Sequence, residues 1–223
     1  TGMAVVKTCE TLRKKICERG AEYLGCSPDD VEFDGEKVVN LKTKEEITRK
    51  EIGNKVMCSS NAPLSATEAF SSPVSPPPFM VGIAEVEIDK ETGVVEPIDY
   101  AAVVDCGTVV NPNLARVQTE GGIAQGIGMA LYEDIIYSEK GKNYSNSFMQ
   151  YKIPSRLDVG EIRVEFESSY EPTGPFGAKS IGEIVINTPS PAISNAVQNA
   201  VGVIVRELPI TAEKVYKGMA EKE

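Results

Sequence analysis

Histidine does not occur anywhere in the 223 residues. Its absence removes Ser-His-Asp and Cys-His catalysis, and histidine-ligated metals with them. Cysteine is sparse and poorly placed for staples. Cys9, Cys17, Cys26, Cys58 and Cys106 are odd in number, and no two have CxxC spacing. Neither a disulfide framework nor a structural zinc site fits that pattern. Reduced, mostly buried thiols in a cytoplasmic protein do. Positive charge is also short: the net charge is −10 and the pI is about 4.8. Such a surface is a poor partner for nucleic acid, which demands a basic footprint, and for anionic membranes. No apolar run approaches the ~18 residues of a membrane span. The start, "TGMAVVKTCE", lacks the basic-then-apolar pattern of a signal peptide.

What is present reads as globular. The chain is 41% hydrophobic and 25% charged, enough for one substantial core or two small lobes. Residues 3–19 carry Val5, Cys9, Leu12 and Ile16 at helical spacing, with Lys7, Arg13, Lys14 and Glu18 off that stripe. The pattern begins without a capping signal before Thr1, so we expect a chain whose sequence continues elsewhere. "VEFDGEKVVNL" (31–41) predicts a hairpin turning at Asp34-Gly35. "TRKE" (48–51) fits a capping box that opens a helix to about Met57. Residues 61–79 hold five of the 14 prolines and predict a long loop, either functional or an ordinary connector. It would join lobes 1–60 and 80–223.

"VGIAEVEIDKETGVVEPIDYAAVVD" (81–105) predicts a hairpin turned by "KETG". Its polarity changes sides near Ile83, which suggests a bulge or a second buried face. Asn111-Pro112 reads as a helix start, with asparagine capping and proline in the first position. The helix then holds Gly121, Gly122, Gly126 and Gly128, each costing about 1 kcal/mol against alanine. Close approach of a backbone or a ligand would offset that cost, and spacing alone favours plain helix packing. "EIRVEFESS" (161–169) predicts a strand. A turn-rich stretch then leads to "GAKSIGEI" (177–184), and "TPSPAISNAVQNAV" (188–201) predicts a helix starting at Thr188 or Ser190. Hairpins backed by helices give an α+β class.

Several familiar motifs fail. "GGIAQGIG" is neither a dinucleotide fingerprint after a strand nor a phosphate-binding loop. "EVEID" sends alternate carboxylates to one face, as a solvated strand does. "DKETG" is too short for an EF-hand.

Four blocks, in order, carry a more specific signal: "GMAVVKTCETL", "AEVEIDKETGVVEPIDYAAVVDCGTVVNP", "QTEGGIAQGIGMALYE" and "GAKSIGE". "ELPITAEKV" (207–215) adds a fifth. Together they resemble the C-terminal part of the molybdenum-binding, catalytic subunit of the xanthine dehydrogenase/aldehyde oxidase family, the molybdenum hydroxylases. The resemblance spans residues 1–223 and implies a molybdopterin-binding fold. It implies a molybdenum–pterin cofactor, in the plain or the cytosine dinucleotide form. Parts of the family's site upstream of "GMAVVKTCETL" are not in this chain, so the resemblance implies inactivity in isolation. The implied partners are the remainder of the molybdenum subunit, an iron–sulfur subunit with [2Fe–2S] clusters and a flavin subunit with FAD. Five scattered cysteines cannot hold those clusters themselves.

The same resemblance assigns roles. Glu183 matches the glutamate that faces the molybdenum and acts as general base for the water-derived oxygen; burial and the anionic metal centre are expected to raise its pKa. Gln118 matches a glutamine that hydrogen-bonds the metal-centre ligands or the pterin. Gly121, Gly122, Ala178, Lys179 and Gly182 belong to the cofactor-facing segments, Ala178 and Lys179 as positioning residues, and no side chain is expected to ligate the metal. Phe176 either lines the substrate funnel or packs. The expected substrate is a purine or another N-heteroaromatic ring. The alternatives are an aldehyde, carbon monoxide or an aromatic thioester, or a non-catalytic assembly subunit.

Overall fold

The computed structural model describes residues 1–59 and 63–221. These form two compact units, Thr1–Pro73 and Val74–Glu223. Residues 61–62 of the expected long loop lie outside the described residues, as does Ser60. Residues 63–78 contain neither helix nor strand, and the next strand takes Phe79.

The first unit opens with α1 (Gly2–Leu24), which ends where Gly25 adopts a left-handed φ of 67°. Only the second half of its apolar stripe is covered: Ile16 is buried, whereas Val5 and Cys9 are exposed. A three-stranded antiparallel sheet follows, β1 (Val31–Phe33), β2 (Lys37–Asn40) and β3 (Glu46–Thr48). The β1–β2 turn differs by one residue from the expected Asp34-Gly35. Phe33 pairs with Val38, and the Asp34 N–H donates to the Lys37 carbonyl at 3.2 Å. Gly35 and Glu36 therefore make the turn, with Gly35 at φ 109°. The Asp34 carboxylate accepts from the N–H groups of Glu36 and Lys37 and so locks the loop. Helix α2 (Arg49–Met57) starts at the complete Thr48–Glu51 capping box that the sequence predicts. Ile16, Phe33, Val38, Ile47, Ile52 and Val56 close the core. Gly20 has no side chain because Val38 occupies that space.

The second unit is built on β4 (Phe79–Ile88), β5 (Val95–Asp105) and β6 (Glu161–Glu167), in that order. β4 and β5 form the expected antiparallel hairpin. β6 joins β5 in parallel, because the connection between them crosses through α3 (Pro112–Leu131). The irregularity in the hairpin lies beyond Ile83. Glu85 faces Asp99 while Val86 faces Pro97, which leaves Ile98 unmatched on β5. A proline cannot donate to the ladder, and the bulge accommodates it. β4 itself does not change sides: Phe79, Val81 and Ile83 lie on the same exposed face as Glu85 and Glu87.

Helices α3, α4 (Ile184–Asn187), α5 (Pro189–Val201) and α6 (Ala212–Ala220) complete the unit. Thr188, one of the two predicted starts, is the residue before α5. The core holds Tyr100, Ile123, Ile127, Ile193, Val197 and Val215. Burial pushes the Tyr100 phenol up; its hydroxyl donates to Thr188 Oγ1 at 2.8 Å, meeting the cost of hiding a polar group. Mixed helix and sheet of this kind is the α+β class expected. The thiols depart from expectation. Only Cys106 is buried, and Cys9 and Cys58 are exposed, because α1 and α2 turn those positions away from the small first core.

Candidate active site

β5 ends at Asp105, and α3 begins a few residues later. Asn111 caps that helix, its Oδ1 accepting the Leu114 N–H at 3.1 Å, and Pro112 stands at the first position. The segment 168–183 returns beside this junction. Lys179 N–H donates to the Cys106 carbonyl at 2.7 Å, and Thr108 N–H donates to the Gly177 carbonyl at 2.9 Å. Gly107 (φ 69°) and Gly177 (φ 88°) permit the approach. A side chain on Gly107 would strike the Gly177 carbonyl, so the two backbones touch directly.

An ion pair reinforces the junction. Lys179 Nζ donates to Asp105 Oδ2 at 2.6 Å, with the two side chains 8% and 20% exposed. Asp105 Oδ1 accepts from Ser169 Oγ at 2.6 Å and from the Gly107 N–H at 3.0 Å. Lys179 first, and then Ser169 and Gly107, hold the Asp105 carboxyl down at about 2. The stabilisation from this shift is complete above the ordinary carboxylate value and is lost as pH falls through about 2.

Two adjoining cavities open where α3 faces the returning segment. One, of 620 Å³, is lined by Gln118, Gly121, Gly122, Gln125, Gly182 and Glu183, among others. The other, of 490 Å³, is lined by Cys106, Leu114, Gln118, Ala178, Lys179 and Gly182, among others. Gln118 and Gly182 belong to both. The fold therefore brings Gln118, Gly121, Gly122, Ala178, Lys179, Gly182 and Glu183 to these two cavities. The walls differ: the smaller cavity is mostly apolar, while the larger carries the amides of Gln118, Gln125 and Asn187 beside Glu183.

The glycines divide by purpose. A Cβ on Gly122 would collide with Val185, and one on Gly126 would meet Pro189 and the Ile186 carbonyl. These two let α4 and α5 lie against α3. Gly121 has nothing within 4 Å of where its side chain would be, so helix packing does not explain it. It faces the larger cavity.

Other expectations need revising. Glu183 is exposed in this chain, because α4 starts directly after it and points the preceding turn outward. The burial expected to act on it is not provided by these residues. Phe176 takes a left-handed φ of 54° and is 70% exposed; it is not packed and lines neither cavity. Asp105, Ser169 and Gln125 were not singled out from the sequence. Gln125 had a signal, since 118, 121 and 125 follow the three- and four-residue spacing of one helix face. Asp105 and Ser169 had none beyond the Asp-Cys-Gly turn, as they meet only through the parallel pairing of β5 and β6.

Among the described residues, no three His, Cys, Asp or Glu side chains come together to hold a metal ion. A metal at these cavities would need ligands beyond the side chains described, such as those of an organic cofactor. Uncharged amides, an open glycine and one carboxylate fit a hydrogen-bonding organic cofactor of that kind. No helix among the described residues is long and apolar enough to cross a membrane.

Comparison with known proteins points the same way. Residues 1–160 match the family model for a molybdopterin cofactor-binding domain. The chain is 34% identical over 224 residues to a probable hypoxanthine oxidase, XdhD, of Escherichia coli (strain K12), covering 98% of this chain and 23% of that protein. It is 30% identical over 224 residues to the 6-hydroxypseudooxynicotine dehydrogenase complex subunit gamma of Paenarthrobacter nicotinovorans, covering 96% of this chain and 28% of that protein. Among solved structures, quinoline 2-oxidoreductase from Pseudomonas putida 86 superposes with a TM-score of 0.75 at 27% identity, covering 95% of this chain and 28% of that one. The chain thus spans about a quarter of the length of the curated relatives it matches.

Proposed function

The chain belongs to the molybdopterin cofactor-binding family of xanthine dehydrogenase/aldehyde oxidoreductase molybdenum subunits, and from that premise we propose that it is the C-terminal catalytic region of a molybdenum hydroxylase. The proposed reaction adds a water-derived oxygen to an electron-poor carbon of a purine or another N-heteroaromatic ring. Substrate C–H and water become C–OH, with two electrons and two protons released. The observation that carries this reading is the convergence of Gln118, Gly121, Gly182 and Glu183 on one 620 Å³ cavity. The substrate class is supported by the relatives' names, since hypoxanthine and quinoline are both N-heteroaromatic.

When bound, the molybdenum–pterin group supplies the two-electron oxidant. The chain's own residues do the rest. Glu183 accepts a proton at its carboxylate as the oxygen nucleophile forms, which requires it to stand within hydrogen-bond reach of that oxygen. The Gln118 carboxamide donates to or accepts from the cofactor. The open side of Gly121 lets a flat ring approach the helix backbone. Ala178 and Lys179 hold the turn that ends at Gly182 and Glu183, and Gly122 contributes backbone to the cavity while its missing side chain admits Val185. The exposure of Glu183 accords with a partner completing the site. We therefore assign the remainder of the molybdenum subunit to that role, with [2Fe–2S] and FAD on further cytoplasmic subunits receiving the electrons, and expect no turnover by this chain alone.

The test is to purify the chain with and without its partner subunits and measure molybdenum, pterin and nucleotide in each. The assembled enzyme is then screened with xanthine, nicotinate and an aldehyde. About one molybdenum per assembled chain, with oxidation of a heteroaromatic ring, is expected. A metal-free assembly would mark a non-catalytic assembly subunit, and turnover of the aldehyde alone would move the substrate class.

A further inference from the structure

We propose that Asp105 is a positioning residue of the site: through Lys179 and Ser169 it clamps the 177–183 segment to the end of β5, and so fixes where Glu183 stands. The inference rests on the reading of Glu183 given above and goes beyond it, since Asp105 lines neither cavity.

The geometry is specific. Asp105 uses both carboxylate oxygens, one for Lys179 Nζ at 2.6 Å and the other for Ser169 Oγ at 2.6 Å and the Gly107 N–H at 3.0 Å. Its partners lie at both ends of the returning segment: Ser169 just after β6 and Lys179 four residues before Glu183. One side chain thereby sets where the segment leaves the sheet and where it comes back. Between those points the segment is held by its own turn, with Glu171 N–H donating to the Gly177 carbonyl at 3.0 Å, and by the backbone bridge of Gly177 and Lys179 to Thr108 and Cys106. Asp105 is thus the side-chain arm of a clamp whose other arm is backbone. Gly174 and Gly177 line its inner turn, and Phe176 is exposed. The Lys179 ammonium also lies 5.3 Å from the centre of the Phe79 ring, which keeps the lysine stem folded back toward the sheet.

An ion pair so little exposed is a weak source of net stability, because desolvation offsets its attraction. It is a source of geometric definition, since either partner alone would be left as a little-exposed charge without its counterion. A base that must meet an oxygen within hydrogen-bond distance gains from such definition, as small displacements of a reacting group are costly in rate.

The test uses Asp105→Asn. The amide oxygen still accepts from Ser169 and Gly107, so the fold is kept while the attraction to Lys179 is lost. Amide hydrogen exchange is measured on the 223-residue chain. At residues 178–183 it is expected to speed up by about tenfold, with the amides of β5 and α5 unchanged. In the assembled enzyme, kcat per bound molybdenum is expected to fall by about tenfold with KM nearly unchanged, since a displaced base acts in the transition state. A merely structural role would lower the yield or the melting temperature and leave kcat per molybdenum as it was. Ser169→Ala, a milder change at the other arm, is expected to shift exchange and kcat in the same direction by a smaller factor, and serves if Asp105→Asn does not fold. Unchanged exchange at 178–183, or unchanged kcat per molybdenum, in whichever variant folds overturns the clamp. Glu183→Gln is run beside them. If that substitution leaves the rate intact, the reading of the base fails, and hydrogen exchange still decides whether Asp105 clamps the segment.

Discussion

The two units of the chain hold their charges differently. In the first unit the ion pairs Lys37–Glu46 and Lys42–Asp30 sit at the surface, each with at least one side chain well exposed. Contacts such as Thr11 to Glu68 and Lys15 to the Ser65 carbonyl are exposed as well. Such interactions contribute little, and the unit rests on its caps, its turns and its small core. In the second unit the ion pair Lys179–Asp105 is 8% and 20% exposed and joins segments 74 residues apart. The first unit's side-chain links between distant pieces of chain are exposed. The second unit has one that is little exposed, and every nominated site residue lies in that unit.

The sharpest way to break this comparison is Glu183→Gln in the assembled, metal-loaded enzyme. The amide keeps the size but cannot take the proton, so reduction of the molybdenum centre by substrate in single turnover should slow by ~10²–10⁴-fold. The thermal midpoint should not move. Glu46→Gln, an exposed carboxylate of the first unit, should leave the rate as it is. A Glu183→Gln enzyme reducing at the wild-type rate would remove the chemical distinction between the units.

A pair of neighbouring substitutions tests the second unit alone. Gly122→Ala should cost about 1–3 kcal/mol of stability by overpacking against Val185. Gly121→Ala should instead stabilise the isolated chain by up to about 1 kcal/mol, the helix gain of alanine over glycine, while lowering molybdenum and pterin occupancy in the assembled enzyme. Urea unfolding and metal analysis report the two effects separately. A stable Gly121→Ala enzyme with full occupancy would show that the open side of Gly121 meets no cofactor.

The smallest effect belongs to the first unit. Thr48→Ala removes the capping hydroxyl of α2 and should cost about 1 kcal/mol. Its influence on kcat per bound molybdenum should be undetectable. A fall in kcat there would show that the first unit reaches the chemistry.

How much of this was legible in the sequence follows the same division. The capping box at Thr48, the Asn111-Pro112 start, the Thr188 boundary and the β4–β5 hairpin all rest on neighbours within a few residues, and each was readable. So was the α+β class. The Gly35-Glu36 turn was displaced by one position because cross-strand pairing of Phe33 with Val38, not the Asp-Gly dipeptide, sets the loop. The parallel entry of β6 was not readable, because nothing in "EIRVEFESS" states which neighbour it will meet. Asp105 was hidden for that reason. Periodicity could not tell Gly121 from Gly122 either, since the difference lies in what occupies the space beyond each. The residues of the site were nominated by family resemblance, and their shared cavities came from the fold.

The separation of 74 residues between Asp105 and Lys179 also has a meaning in time. A chain made at roughly 5–20 residues per second delivers Lys179 about 4–15 s after Asp105. Throughout that interval Asp105 is without the lysine it pairs with in the folded chain. The elements of the first unit, built from close neighbours, are by then complete. The clamp thus becomes possible only once β5, α3 and β6 have all been made, and it sets the turn carrying Glu183 before α4 and α5, which pack against α3 beside it, have been synthesised.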